Sequence, residues 1–172
     1  MESAMIQKVN SLLDKYIGGE IFFDELDDAI RTDDEIIKRL LHLSTVIRSN
    51  PVWENEDNTR IVMSGKTGYA IKEWGWDADI LLPGGLRKMT DAPLDFAKQV
   101  EAGKIYFFID DSYFSGRTES VVKEIIERGG GIFGGSIVAY DGCHEVKKNV
   151  WSLYRYYNHY DIRGRKLNVS DS

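Results

Sequence analysis

Between residues 59 and 140, short apolar runs alternate with segments of helical periodicity, and this alternation constrains the fold more than any other feature of the chain. The runs are "RIVM" (60–63), "ADILL" (78–82), "KIYFFI" (104–109) and "GSIVAY" (135–140). A strand that is apolar on successive residues cannot show either face to water, so it must lie between two helical layers. The intervening segments supply those layers. Tyr69, Ala70, Ile71 and Trp74 follow the first run, and "LDFAKQV" precedes the third. "ESVVKEIIERG" turns Val121, Val122, Ile125 and Ile126 inward and stops at Gly129. Lys104 to Tyr140 has the length, about 30 residues, of one βαβ unit. The pattern predicts an α/β fold, with a parallel sheet of four or more strands flanked by helices.

The flanking regions read differently. Met5, Ile6, Val9, Leu12, Leu13 and Tyr16 recur at helical spacing before Gly18–Gly19, and "FFDELDDAIR" adds a short helix carrying Phe22, Phe23, Leu26 and Ile30. Thr32 with Glu35 forms a capping-box pattern ahead of Ile36, Ile37, Leu40, Leu41 and Ile47, and "SNP" (49–51) closes that helix. Near the C-terminus, Val146, Val150, Leu153 and Tyr157 make a helical stripe among Trp151, Tyr154, Tyr156 and Tyr160. That segment is expected to form an aromatic hood beside the sheet, with Trp151, Tyr154 or Tyr157 able to stack on a base. Trp74 and Trp76 are expected to cover the core. With 172 residues the chain suits one domain with a full core: a helical N-terminal section (1–58), a central core (59–142) and a hood or tail (143–172).

Composition removes several function classes. A net charge of −6 argues against a general nucleic-acid binder. The tail does interleave Lys147, Lys148, Arg155, Arg163, Arg165 and Lys166 with tyrosines, a mixture that can bind single strands, but solvated charges on an amphipathic helix explain it more simply. Cys143 is the only cysteine, which excludes an intrachain disulfide or a CxxC site and fits a reducing cytoplasm. His144 and His159 lack partners at metal-ligand spacing, and His42 reads as a packed or surface residue of a helix. No apolar run reaches the roughly 18–20 residues of a membrane span, and "MESAMIQKVNS" lacks a signal-peptide core. The expectation is a cytoplasmic protein with no membrane partner.

The stretch most charged with chemistry is "FIDDSYFSGRTES" (108–120), where an apolar strand runs through two acids into hydroxyls, a glycine and a helix. Loops between a parallel strand and a helix N-terminus are where open α/β sheets bind ligands, and free N–H groups there favour phosphate. Ser115, Gly116, Arg117 and Thr118 suit that task. Asp110 and Asp111 would repel the same phosphate; they are better used on the hydroxyls of a sugar diol or beside hydrated Mg²⁺. Phosphate and diol together describe a ribose 5-phosphate. Paired aspartates are also ordinary turn residues, and Ser115 or Thr118 could be simple N-caps, but the complete pattern favours a ligand site.

"YFFIDDSYFSGRT" resembles the motif by which type I phosphoribosyltransferases bind 5-phosphoribosyl 1-diphosphate (PRPP), and the resemblance extends over residues 59–142, through "ESVVKEIIERGGGIFGGSIVAYDG" and upstream to "RIVMSGKTG". It implies a Mg²⁺-dependent transferase moving ribose 5-phosphate from PRPP to an unidentified, nitrogenous acceptor. Asp110 and Asp111 would meet the ribose hydroxyls, with Mg²⁺ held indirectly. Ser115, Gly116, Arg117 and Thr118 would hold the 5-phosphate. Ser64, Gly65, Lys66, Thr67 and Gly68 would form the pyrophosphate loop, and Arg87 and Lys88 would stand where the family's mobile loop begins. Phe114 replaces an aspartate that reads the base in purine enzymes, and Tyr140 falls near a lysine that reads a ring carbonyl; both argue against a purine acceptor. Homodimers are usual in the family. Two other readings remain: a PRPP- or nucleotide-binding regulatory protein without chemistry, and a flavin mononucleotide protein, since "SYFSGRTE" is similar to the flavodoxin phosphate loop. "SGKT" (64–67) is no Walker A loop, because Arg60 stands where that motif needs glycine.

Overall fold

A computed structural model of the chain describes residues 27–28, 30–143 and 147–155. The expected helix over residues 5–16, the positions Phe22, Phe23 and Leu26, both His144 and His159, and the tail beyond residue 155 lie outside the described residues. In chain order the elements are α1 (Asp34–Arg48), β1 (Thr59–Ser64), α2 (Gly65–Glu73), β2 (Ile80–Leu82), α3 (Ala92–Phe96), β3 (Ile105–Tyr113), α4 (Arg117–Arg128), β4 (Ile132–Asp141) and β5 (Val150–Arg155). The five strands form one sheet in the order β2-β1-β3-β4-β5, and every pairing is parallel. The α/β architecture expected from the sequence is therefore present, with one strand more than the apolar runs gave.

Strand alternation divides the core into two layers. On one face, Ile61 and Met63 of β1, Phe107 and Ile109 of β3 and Ile137 of β4 pack with Ile37, Leu40, Leu41 and Ile47 of α1 and Ile71 of α2. On the other, Val62, Ile80, Leu82, Tyr106 and Phe108 pack against Val122, Ile125 and Ile126 of α4. Trp53 meets the Phe107 ring edge-on at 5.1 Å between centroids. Trp76 is partly buried against the same cluster, whereas Trp74 is 44% exposed.

Three local expectations are corrected. The cap of α1 is Asp33, not Thr32: the Asp33 carboxylate accepts the N–H groups of Glu35 and Ile36 at 3.1 and 3.2 Å, while the Thr32 hydroxyl donates to the carbonyl of Asp28. Residues 150–155 form a strand rather than a helix. The unpaired edge of β4 offers a full row of backbone donors and acceptors, and β5 satisfies them from Ser136↔Val150 to Asp141↔Arg155. Trp151 then lies 6.0 Å from Phe107 and packs in the core instead of stacking on a ligand. Finally, β3 does not stop at Ile109. Pairing continues through Ser112↔Tyr140 to Tyr113↔Asp141, so the two acids sit within a hydrogen-bonded strand and the turn proper is confined to residues 114–116.

No helix among the described residues is long and apolar enough to cross a membrane. Phe107 is fully buried between Trp53 and Trp151. Its replacement, Phe107→Ala, is expected to cost about 3–5 kcal/mol through lost burial and the cavity left behind. Urea unfolding monitored by tryptophan fluorescence measures this directly; a loss under about 1 kcal/mol would contradict the two-layer core.

Candidate functional site

The strand order turns back between β1 and β3. From β1 the chain leaves through α2 toward β2 on one side, while β3 lies on the other side and leads through α4 to β4. Connections that diverge in this way open a crevice at the carboxyl ends of the two strands, the usual ligand position in doubly wound sheets.

On the β1 side, Ser64 ends the strand and Gly65, at φ +58°, turns the chain into α2. No side chain caps this helix. A Cβ on Gly65 would stand 3.3 Å from the Cα of Gly84, so the turn and the loop after β2 pack backbone against backbone. Thr67 and Gly68 are buried, whereas Lys66 is exposed. Arg87 and Lys88 are exposed on the short helical turn Leu86–Lys88 that follows the same loop.

On the β3 side, Gly116 at φ +78° launches α4, which also has no side-chain cap. Ser115 and Arg117 are exposed, Gly116 and Thr118 partly so, and the Ser115 hydroxyl accepts the Arg117 N–H at 3.3 Å. Tyr113 supports the turn from within: a Cβ at Gly116 would meet its hydroxyl at 2.6 Å. That hydroxyl donates to Glu119 at 3.1 Å, and the buried Ser136 hydroxyl donates to the other oxygen of Glu119 at 2.5 Å. Burial, with the Glu119 charge behind it, holds the Tyr113 hydroxyl well above its ordinary range and keeps it a donor. Glu119 thus spends its charge inward, away from the turn. Phe114 is half-buried against the interior Tyr140, with ring centroids 5.9 Å apart.

Between the two turns lie the acids. Asp111 is only 6% exposed and is encircled by donors. The Thr67 hydroxyl reaches its Oδ2 at 2.6 Å and Arg31 Nη1 the same oxygen at 2.9 Å, while the Ser112 N–H reaches Oδ1 at 2.7 Å. Asp110 is partly exposed; its carboxyl accepts the N–H of Asp111 at 2.9 Å and lies within hydrogen-bond reach of the Asp111 carboxyl. Arg31 also pairs with Asp28, and Asp27 accepts the Ser112 hydroxyl at 2.7 Å. Sequence reasoning missed Asp27, Asp28 and Arg31. The acid-rich "DELDDAIR" was visible, but nothing local says that it meets a strand some 80 residues later.

The electrostatics follow from this crowding. Burial, then the charge of Asp111, pushes Asp27 up to about 8. The same two causes raise Asp110 well above the usual carboxylate range. Burial opposes the charge of Arg31, but Asp111 and the neighbouring acids outweigh it, so the guanidinium is held more firmly protonated. Lys66, Arg87, Lys88 and Arg117 have no ion-pair partner among the described residues. Among those residues, no group of three or more His, Cys, Asp or Glu side chains is arranged to hold a metal ion directly. Of the two acids, Asp111 has its oxygens engaged by Arg31, Thr67 and Ser112, and Asp110 is the more exposed.

Among the described residues, the carboxyl edge of the sheet thus combines two helix N-termini whose N-cap residues supply no side-chain cap, four cations without an ion-pair partner and the partly exposed Asp110. No protein-family model matches the chain, and no curated protein sequence matches it.

Asp27 generates a pH prediction. Its folded-state value lies above the ordinary 3.8, so the native protein holds this proton more tightly than the unfolded chain. The stability that proton contributes is complete below about pH 4 and is lost as pH rises toward about 8. Across that window one such group lowers stability by at most about 1.4 kcal/mol per pH unit. Asp27→Asn should flatten the decline, leaving the contribution of Asp110, which has the same sign. Urea midpoints taken from mildly acid to mildly alkaline pH test this, and an unaltered slope in the variant would remove Asp27 from the buried acid group.

Proposed function

We propose that the chain binds PRPP with Mg²⁺ at the β1/β3 crevice and transfers its ribose 5-phosphate to a nitrogenous acceptor, releasing pyrophosphate. The observation that carries this reading is the 2.6 Å hydrogen bond from Thr67 to Asp111. It joins the "SGKTG" turn to the "DD" strand end across 44 residues, so the two motifs that the sequence offered separately belong to one site. The 5-phosphate fits the exposed turn at Ser115–Thr118, where α4 presents uncapped N–H groups and Arg117 adds charge. The ribose hydroxyls fit the acid-bearing end of β3, where Asp110 is partly exposed. The diphosphate fits the N-terminus of α2, with Lys66 exposed beside it and Arg87 and Lys88 on the neighbouring loop.

In such a transfer the bond from C1 of the ribose to the diphosphate oxygen breaks, and the acceptor nitrogen bonds to C1. Negative charge grows on the leaving oxygen while the ring carbon becomes electron-poor. The chain's contribution is electrostatic and positional: α2 amides and Lys66 stabilise the departing diphosphate, and the Ser115–Thr118 turn anchors the far end of the ribose. Mg²⁺, when bound, would supply further neutralisation of the diphosphate, with Asp110 accepting from its water shell.

Thr118→Ala is expected to weaken PRPP binding roughly tenfold or more, whereas Lys66→Ala should lower turnover more than affinity. Calorimetry with PRPP and Mg²⁺, followed by a pyrophosphate-release assay across candidate bases, separates the two effects. Absence of PRPP binding by the unaltered protein would refute the assignment. A regulatory reading is favoured by one observation: Arg31 already occupies Asp111, so ligand binding could be read out by the segment that carries it. Binding without pyrophosphate release on any base would select that alternative. The strand order is shared with flavodoxin-like folds, but their phosphate loop follows β1, and here the hydroxyl-rich turn follows β3.

A further inference from the structure

The two adjacent aspartates, treated as equivalent by their sequence, are in different situations. Successive side chains of a strand point to opposite faces. Phe107 and Ile109 belong to the layer with α1 and α2, and Phe108 to the layer with α4. Past Ile109 that alternation no longer sorts the side chains: the Asp110 and Asp111 carboxyls lie within hydrogen-bond reach of each other, Ser112 reaches Asp27 and Tyr113 reaches Glu119 of α4, so the two acids differ in exposure and in partners. A carboxylate offers about four acceptor positions. On Asp111, Arg31 and Thr67 fill Oδ2, and the Ser112 N–H, with the Ser112 hydroxyl at 3.3 Å, engages Oδ1. Among the described residues, Asp110 receives one N–H donor, from its own backbone neighbour, and otherwise meets the Asp111 carboxyl.

We propose that the acids divide the work: Asp110 faces the ligand, while Asp111 is an internal clamp, positioned by Arg31, that fixes the β1–α2 turn to β3 through Thr67. The ligand's identity rests on the phosphoribosyl reading; the clamp does not. Arg31 is a positioning residue. It is largely buried, at 14% side-chain exposure, and it is the cation that pairs with Asp111. Without it, the largely buried Asp111 carboxylate would lose the cation that offsets its burial and would draw toward water, away from Thr67. The turn bearing Lys66 would then lose its only side-chain tie to the adjacent strand among the described residues.

Hydrogen exchange of the ligand-free protein tests the clamp, and calorimetry with PRPP and Mg²⁺ tests the ligand side. Thr67→Val, which removes only the hydroxyl, and Arg31→Ala should each speed exchange of the Gly68 and Tyr69 amides, in the first bonded turn of α2, by tenfold or more. Arg31→Lys should restore most of the protection, because the charge is kept. Combining Thr67→Val with Arg31→Ala should add little to either alone, since both act through Asp111. Asp110→Asn should leave this exchange unchanged and weaken PRPP binding at least tenfold. Unchanged exchange in Thr67→Val, or equal loosening in Asp110→Asn, would overturn the clamp. Loss of PRPP affinity in Thr67→Val as large as in Asp110→Asn, with exchange unaltered, would return Asp111 to the ligand and overturn the division. If the unaltered protein does not bind PRPP, the phosphoribosyl reading falls, and the exchange measurements still decide the clamp.

Discussion

Everything at the functional edge depends on parallel pairing of β1 with β3 in a sheet whose order turns back between them. Met63↔Ile109 is the last register pair between them; β1 ends one residue later at Ser64, while β3 carries the acids onward along β4 as far as Tyr113. In a parallel sheet each strand end is followed by a helix that must start at the same edge. Two helix N-termini, with their unsatisfied N–H groups and positive dipole ends, are therefore delivered to one crevice by topology alone. No individual side chain has to arrange this. Side chains then specify what the crevice can hold.

Asp111 is where topology and chemistry meet. A largely buried carboxylate is costly unless it is paired and hydrogen-bonded, and removing one partner from such a pair commonly costs about 3–5 kcal/mol. Here the partners come from three separate parts of the chain: Arg31 before α1, Thr67 in α2 and the backbone of β3 itself. Their combined effect is better understood as specificity than as net stability, since a buried ion pair often does no better than apolar packing. It requires one arrangement of the N-terminal segment and the α2 turn relative to β3, and any other leaves a charge unmatched.

The general architecture was legible because it depends on local pattern. Apolar runs gave β1, β3 and β4, and helical periodicity gave α1 and α4 with their buried residues. What failed was either ambiguous locally or determined from a distance. Val150 and Leu153 are three residues apart and read as a helical stripe, yet Trp151 and Leu153 two apart fit a strand equally well; only the open edge of β4 decides. The extension of β3 past the acids was hidden because "DDSY" is a poor strand by composition, and it is the register against β4 that holds it. At the site, the turn glycines and the hydroxyls of Ser115 and Thr118 could be read from the sequence. The inequality of Asp110 and Asp111 could not, since it arises from Arg31 and Thr67, 80 and 44 residues away.

By net charge alone, −6, an acidic chain is an odd host for a highly anionic ligand, but net charge is the wrong quantity. Beyond a Debye length of about 8–10 Å, exposed charges are screened, so the sign of the local field decides what docks. Locally the acids are not free to repel a phosphate. Asp111 is matched by Arg31, Asp27 holds a proton across the neutral range, Asp110 is pushed in the same direction, and Glu119 is turned inward onto Tyr113 and Ser136. Lys66, Arg87, Lys88 and Arg117 remain exposed and unpaired among the described residues. The crevice is therefore acidic by composition and much less so by electrostatics. The accepting capacity that persists belongs mainly to Asp110, beside donors able to hold phosphate. That pairing of opposite appetites a few residues apart is what a sugar phosphate, with its diol at one end and its charge at the other, can satisfy in a single pose.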